Sequence, residues 1–164
     1  MPIYWSMLLV SVLFGILCYL TPKRIITIEG YKIRRVNKAF VFIMIAYIVF
    51  FLGFRDVVLD TGAYIDSFNI LPDNFQNLLL YLKGIDSGKG FYLFAGLFKI
   101  LISSNHYVWL FFLASISCAC LFRTLYKYSV DFPLTAYLFI ATCTFTWLLN
   151  GCRQFLVVSI FFGF

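Results

Sequence analysis

The sequence predicts an all-α fold, a polytopic transmembrane helix bundle with one extracytoplasmic amphipathic or re-entrant segment. Its composition is the first observation: 63% of the 164 residues are hydrophobic and 12% are charged, whereas soluble domains are about half apolar and about a quarter charged. The second observation is that the charged residues are confined to a few places. Stretches without any charged side chain cover 1–22, 39–54, 100–122, 132–152 and 154–164. A lipid bilayer is the solvent that suits such long apolar stretches.

The uncharged stretches have the lengths of membrane spans, which need about 20 mostly apolar residues. We expect helices rather than strands, because an open strand would leave backbone amides without partners in lipid. The expected spans lie near 3–20, 37–54, 105–122, 132–150 and 154–164. Residues 1–164 then form a single transmembrane domain. Because the last apolar run has no polar flank, we expect a C-terminally truncated piece of a longer protein.

The loop charges predict the orientation of the bundle. Segment 21–38 has six basic residues and one acidic residue, and segment 55–90 has three basic and five acidic residues. Basic loops stay on the cytoplasmic side, so the first loop is expected inside, with the N-terminus and the second loop outside. A nucleic-acid or lipid-headgroup site is the alternative explanation of the basic loop. Membrane topology explains the basic loop without a further partner, and we expect no nucleic-acid partner.

The expected outer loop, 55–104, is too long for a simple connection. Asp73 or Asn74 is a suitable N-cap for a short helix over 75–83, which we expect to be amphipathic and to lie in the headgroup zone. Segment 90–103 has an apolar run of about 14 residues, a length more typical of interfacial or re-entrant segments than of spans. If this segment crossed the membrane, Arg123 would fall outside, against the charge rule.

A cluster of reactive groups follows the second expected span. Arg55, Asp56, Asp60 and Tyr64 lie within ten residues of the expected bilayer edge. A planar guanidinium group suits phosphate, and a nearby carboxylate can act as a base. The alternative is a solvated helix end with Arg55 extended to the interface.

A second polar group interrupts the apolar C-terminal third of the chain. It consists of Asn150, Gly151, Cys152, Arg153 and Gln154. Ionisable groups in such places usually face a bundle interior or an aqueous cavity, although Asn-Gly also favours a plain turn. The five cysteines lack zinc-ligand spacing, and we expect neither a metal nor a cofactor.

Several short motifs resemble those of the EpsG-like branch of the Wzy-type bacterial polysaccharide polymerases. The similar stretches are Gly53-Phe54-Arg55, 60–68 (DTGAYIDSF), Gly90-Phe91-Tyr92, 126–129 (YKYS) and 150–154 (NGCRQ). The resemblance covers essentially the whole chain, which corresponds to the N-terminal half of the longer family. The family often has a glutamate before the Gly-Phe/Tyr pair, where this chain has Gly88-Lys89. If that acid is catalytic, Asp86 or another carboxylate has to replace it here.

The resemblance implies a glycosyltransferase of the bacterial cytoplasmic (inner) membrane, a multi-pass protein in the lipid bilayer. It would polymerise undecaprenyl-diphosphate-linked oligosaccharide repeat units into exopolysaccharide, capsule or O-antigen at the outer face, beside other polysaccharide-assembly membrane proteins. We expect Arg55 and Arg153 to bind the leaving diphosphate, and Asp60 first, or Asp56, to act on the acceptor hydroxyl. Tyr64, Asn150 and Gln154 are the expected substrate-binding residues.

Two other classes of function remain open at this stage. A transporter or flippase for lipid-linked glycans also needs arginines facing a cavity, but typically near mid-membrane and within internal repeats, and this chain shows no repeat. A non-catalytic membrane scaffold is the other alternative, and its polar residues should tolerate alanine.

Overall fold

Helices occupy most of the chain, and they begin and end close to the limits of its apolar runs. The computed structural model describes residues 2–21, 24–28, 31–55 and 60–164. In these ranges the strands are β1 (Arg24–Ile28) and β2 (Tyr31–Arg35), and one 3₁₀ turn covers Thr144–Thr146. The α-helices are α1 (Pro2–Leu20), α2 (Lys38–Gly53), α3 (Thr61–Ile70), α4 (Phe75–Lys83), α5 (Lys89–Leu101), α6 (His106–Tyr128), α7 (Phe132–Ala141), α8 (Trp147–Asn150) and α9 (Cys152–Gly163).

Side-chain caps determine where three of the helices begin. Asn37, Asn105 and Asp131 precede α2, α6 and α7, and each accepts a hydrogen bond from a backbone N–H in the first turn. The donor–acceptor distances are 3.1, 2.8 and 3.2 Å. Such a cap stabilises a helix by about 1 kcal/mol, because it satisfies an amide that has no partner within the helix.

Helix α6 lies at the centre of the fold, with α2 and α9 packed against it and α1 packed against α7 and α2. The approach of α2 to α6 is very close at Gly53. A Cβ atom at position 53 would lie 2.8 Å from Phe111 Cα, closer than two nonbonded carbon atoms can approach. The main apolar core fills the space between α1, α2, α6 and α7, where Met44, Ile48 and Phe122 are buried.

The two ends of α6 have different surroundings. At its C-terminal end, Arg35 Nη2 donates to the Lys127 carbonyl at 2.7 Å, and the Tyr126 hydroxyl donates to the Val36 carbonyl at 3.0 Å. We refer to this end, which adjoins β2, as the hairpin end. Helix α6 has 23 residues and at a rise of 1.5 Å per residue is about 34 Å long. The opposite end, where α2 ends and α6 begins, is referred to as the loop end.

Helices α3, α4 and α5 form a separate apolar cluster at the loop end. Phe68 of α3 stacks on Trp109 of α6 with ring centroids 5.5 Å apart, which attaches the cluster to the central helix. Lys99 of α5 secures the α3–α4 connection, because its ammonium group donates to the Asn69 carbonyl at 3.0 Å and pairs with Asp73 at 3.2 Å. The predicted helix over 75–83 is confirmed as α4.

The helix expected across 132–150 is interrupted. Helix α7 ends at Ala141, Cys143 has a φ of 57°, and α8 begins only at Trp147. Hydroxyl groups explain the break: Thr142 donates to the Leu138 carbonyl at 2.7 Å, and Thr146 donates to the Cys143 carbonyl at 2.6 Å. Threonine side chains that bond to the backbone compete with the helical pattern.

The all-α prediction is confirmed for the helices but missed the antiparallel pair β1–β2, in which Arg24 lies opposite Arg35. Isoleucine and threonine make up most of β1 and favour a strand. Of the described helices, α6 has the length and apolar composition needed to cross a bilayer, and the apolar helices α1, α2, α7 and α9 are shorter.

Candidate functional site

A pocket of about 270 Å³ opens at the loop end, between α3 and α5 and beside the start of α9. Its walls are contributed by three helices that are far apart in the chain. The lining residues are Asp60, Ala63, Tyr64, Ser67, Phe91, Tyr92 and Arg153. Three of the residues predicted from the sequence, Asp60, Tyr64 and Arg153, therefore share one cavity.

Arg153 is held in the pocket by the start of α5. Its guanidinium carbon lies 5.8 Å from the centroid of the Phe91 ring, which is within the range of a cation–π contact. Gly88, with a φ of +75°, precedes the helix. A Cβ atom on Gly88 would lie 2.9 Å from Arg153 Nη1. The absence of a side chain at position 88 therefore leaves the space that the guanidinium group fills.

Arg55 lies beside the start of α9, where it is 6% exposed. Its Nη2 donates to Cys152 Sγ at 3.0 Å. Its buried Nε has no hydrogen-bond partner, and no carboxylate within the described ranges lies at ion-pair distance from it. Burying a charge without a counter-charge is costly, so Arg55 is prepared for an anion that arrives from outside.

The start of α9 brings the two arginines together. Cys152 contacts Arg55, and the next residue, Arg153, reaches into the pocket. Gly151 separates α8 from α9, and α9 therefore begins in the space between α2 and α5. Two guanidinium groups that are 98 positions apart in the sequence thus border one region.

Asp60 precedes α3 as its N-cap residue, yet its carboxylate makes no capping hydrogen bond. The carboxylate also forms no ion pair with Arg153, although both side chains line the pocket. It is therefore available to a ligand on the described side of the site. The other predicted carboxylate, Asp56, lies outside the described residues.

Asn150 and Gln154 are exposed and do not line the pocket. The Gln154 side chain folds back, so that its Oε1 would lie 3.0 Å from a Cβ atom on Gly151. Their predicted substrate-binding role stays a prediction, whereas Tyr64 lies in the pocket wall.

Sequence reasoning missed the parts played by Phe91, Gly88 and Cys152. Phe91 and Gly88 adjoin a Gly-Lys-Gly stretch that lacks phosphate-loop spacing, and nothing in the sequence pairs that stretch with Arg153. Cys152 resembled an apolar filler residue, and only the tertiary fold places it against Arg55. Among the described residues, no three His, Cys, Asp or Glu side chains group closely enough to hold a metal ion.

A second, more apolar cavity of about 490 Å³ lies next to this region. Its lining residues are Phe54, Asn105, Tyr107, Val108 and Phe111. Phe54 directly precedes Arg55, so the apolar cavity begins next to the buried guanidinium group.

Comparison with known proteins gives one match. The model of the EpsG family matches residues 38–163, a range that starts at α2 and includes the pocket and both arginines. No curated protein and no solved structure matches the chain. The match covers more than half of the chain and agrees with the resemblance seen in the motifs. Together with the apolar helices, it indicates a membrane protein of polysaccharide biosynthesis, and the chain belongs to the EpsG family.

Proposed function

We propose that this protein is a glycosyltransferase that polymerises undecaprenyl-diphosphate-linked oligosaccharide repeat units at the outer face of the bacterial cytoplasmic membrane. The observation that carries the proposal is the convergence of buried Arg55 with Arg153 at the start of α9, beside a pocket that contains Asp60. Family membership supports a role in polysaccharide biosynthesis. The product would be an exopolysaccharide, a capsule or an O-antigen.

The proposed reaction exchanges one bond at the anomeric carbon of the growing chain. A hydroxyl oxygen of the incoming unit forms the new glycosidic bond, the bond to the diphosphate oxygen breaks, and the electron pair leaves with the diphosphate. The hydroxyl proton passes to the carboxylate of Asp60. Arg55 and Arg153 stabilise the negative charge that develops on the leaving group, as fixed donors do in a site that excludes water.

The apolar cavity beside Arg55 suits the lipid part of such a substrate. Phe54, Val108 and Phe111 provide apolar walls, and a polyprenyl chain lying there would place its diphosphate next to the guanidinium group of Arg55. We therefore assign the lipid tail to this cavity and the headgroup to the arginines.

We further propose that the helices form a multi-pass transmembrane bundle with 55–104 outside. The arrangement of α6 supports this orientation, because the basic first loop adjoins its hairpin end and the pocket lies at its loop end. The hairpin end is then cytoplasmic, in agreement with the charge rule.

Cysteine labelling tests this orientation. Ser104 precedes α6 at the loop end, and Val130, which is 81% exposed, follows it at the hairpin end. In a background with Cys143 and Cys120 replaced by serine, we expect a membrane-impermeant maleimide to label Ser104→Cys in intact spheroplasts. Val130→Cys should react only after the membrane is opened. The background protein without an added cysteine is the control, and labelling of both positions from outside would refute the orientation.

Reconstitution tests the proposed reaction. The purified chain in lipid vesicles, supplied with undecaprenyl-diphosphate-linked repeat units, should produce lipid-linked chains of two or more units and release undecaprenyl diphosphate. Arg153→Ala should lower this rate by about 10²–10³-fold, the usual effect of losing one charge-stabilising donor. Chain length is measured by mass spectrometry of the lipid extract.

The same assay separates the two rival functions. A flippase would move labelled lipid-linked units across the vesicle membrane without lengthening them, and a scaffold would do neither. Translocation without chain growth would replace the polymerase proposal by the transporter one.

A further inference from the structure

We propose that the pocket between α3 and α5 is a monosaccharide subsite that binds one pyranose ring of the oligosaccharide through hydrogen bonds to Asp60 and Arg153. This inference rests on the proposed function, because it assumes a glycan substrate. It goes further in assigning a size and a chemical character to the ligand of one cavity, and in giving Gly88 a role in shaping that cavity.

The charges in the pocket favour a neutral polyol over an anion. Asp60 and Arg153 line the same cavity but form no ion pair, so their opposite charges face a common space. A phosphate there would gain from the guanidinium group and be repelled by the carboxylate. Sugar hydroxyls donate to the carboxylate and accept from the guanidinium group, and both charged groups are then satisfied.

The size of the pocket limits the ligand to a single ring. Its volume is about 270 Å³, just under the range of roughly 300–1,000 Å³ found for pockets that enclose drug-sized ligands. A whole repeat unit of several sugars does not fit into this space. We therefore assign one terminal ring to the pocket, with the remainder of the oligosaccharide outside.

The walls combine apolar rings with hydroxyl groups, as a pyranose requires. Tyr64 and Phe91 meet at an interplanar angle of 71° with centroids 6.3 Å apart, so they form a corner of two aromatic rings. The C–H groups of a sugar ring can pack into such a corner. The Ser67 hydroxyl donates to the Ala63 carbonyl at 2.6 Å and keeps its lone pairs for a ligand hydroxyl.

Gly88 acts as a positioning residue for this subsite. Its backbone has a φ of +75°, and the space where a Cβ atom would lie is occupied by Arg153 Nη1 at 2.9 Å. Any side chain at position 88 must displace the guanidinium group from its place over Phe91. By contrast, a Cβ atom on Gly90, two residues later, would meet nothing within 4 Å.

Ligand binding by the purified full chain in detergent micelles tests the subsite. The probes are a panel of methyl glycosides (hexosides, N-acetylhexosaminides and hexuronides) and inorganic pyrophosphate, observed by saturation-transfer NMR with titration. At least one glycoside should bind the wild type and Gly90→Ala equally. We expect affinity to fall about tenfold or more in Gly88→Ala, because the hydrogen bonds of a charged group are lost. Tyr64→Ala should show a similar loss and, because Tyr64 is half-buried, tests the pocket even if Gly88→Ala fails to fold.

Pyrophosphate gives the readout that a general structural defect would not reproduce. Its binding should persist in Tyr64→Ala and disappear in Arg55→Ala. Absence of glycoside binding to the wild type, equal binding by Tyr64→Ala, or binding of pyrophosphate alone would overturn the subsite. Glycoside binding together with failed polymerisation in vesicles would retain the subsite and reject the proposed polymerase reaction.

Discussion

Arg55→Ala is expected to stop polymer growth in cells while the protein is still made and inserted. The guanidinium group is 6% exposed and its Nη2 bonds only to a thiol at 3.0 Å among the described residues, so its positive charge is directed to an outside anion. Loss of a donor that stabilises developing charge lowers a rate by about 10²–10³-fold. Surface polysaccharide is measured on gels, and the membrane-inserted protein is measured by immunoblot.

Stability provides a second readout for this variant. Because no described carboxylate pairs with Arg55, its removal takes a desolvated charge out of the interior, which does not weaken a fold. We expect the thermal unfolding temperature in detergent to stay the same or rise while activity disappears. A residue that serves only the fold would show the reverse relation.

Arg123 offers a matched control for Arg55. It is an exposed arginine near the hairpin end of α6, where its guanidinium carbon lies 5.4 Å from the Phe164 ring centroid. Arg123→Ala should leave polymer at the wild-type amount. Normal polymer from Arg55→Ala, or equal loss in both variants, would remove Arg55 from the proposed diphosphate site.

Asp60→Asn is the second change with a large expected effect. The amide keeps the shape of the carboxylate but cannot take the proton of the acceptor hydroxyl, so the rate of chain extension should fall by about 10²–10⁴-fold, the usual contribution of a general base. Substrate binding should change less, since an amide still forms hydrogen bonds. The measurement is the initial rate of chain growth in vesicles at saturating lipid-linked substrate.

Asp66 provides the control for Asp60. It lies on the same helix, α3, is exposed, and does not line the pocket. Asp66→Asn should extend chains at the wild-type rate. If Asp60→Asn did the same, the base would have to be sought elsewhere, and Asp56, the other carboxylate of the cluster, would be tested next.

Most of the helices follow from the sequence because they depend on local properties. The uncharged runs give α1, α2, α6 and α9, and the apolar spacing after Asn74 gives α4 over Phe75–Lys83. The break after Ala141 was missed because it depends on individual hydroxyl-to-carbonyl bonds such as that from Thr142. An average over hydrophobicity cannot detect a bond of that kind.

The candidate site was predictable in its residue types but not in its arrangement. Arg55, Asp60, Tyr64 and Arg153 are polar groups at the edges of apolar runs, and this pattern marked them. Their relative positions depend on how α9 packs on α6, a contact between distant segments that carries no periodic signal in the sequence. For the same reason the sequence gave no indication that Gly88 faces Arg153.

The close contact between Gly53 and Phe111 has a consequence for reading loss-of-activity mutants. Gly53 lies two residues before Arg55, and a methyl group there would have to push α2 away from the backbone of α6. The guanidinium group moves with the end of its helix and leaves the sulfur of Cys152. A variant far from any sugar can therefore resemble a chemical defect, and the two causes are distinguished by whether added pyrophosphate still binds.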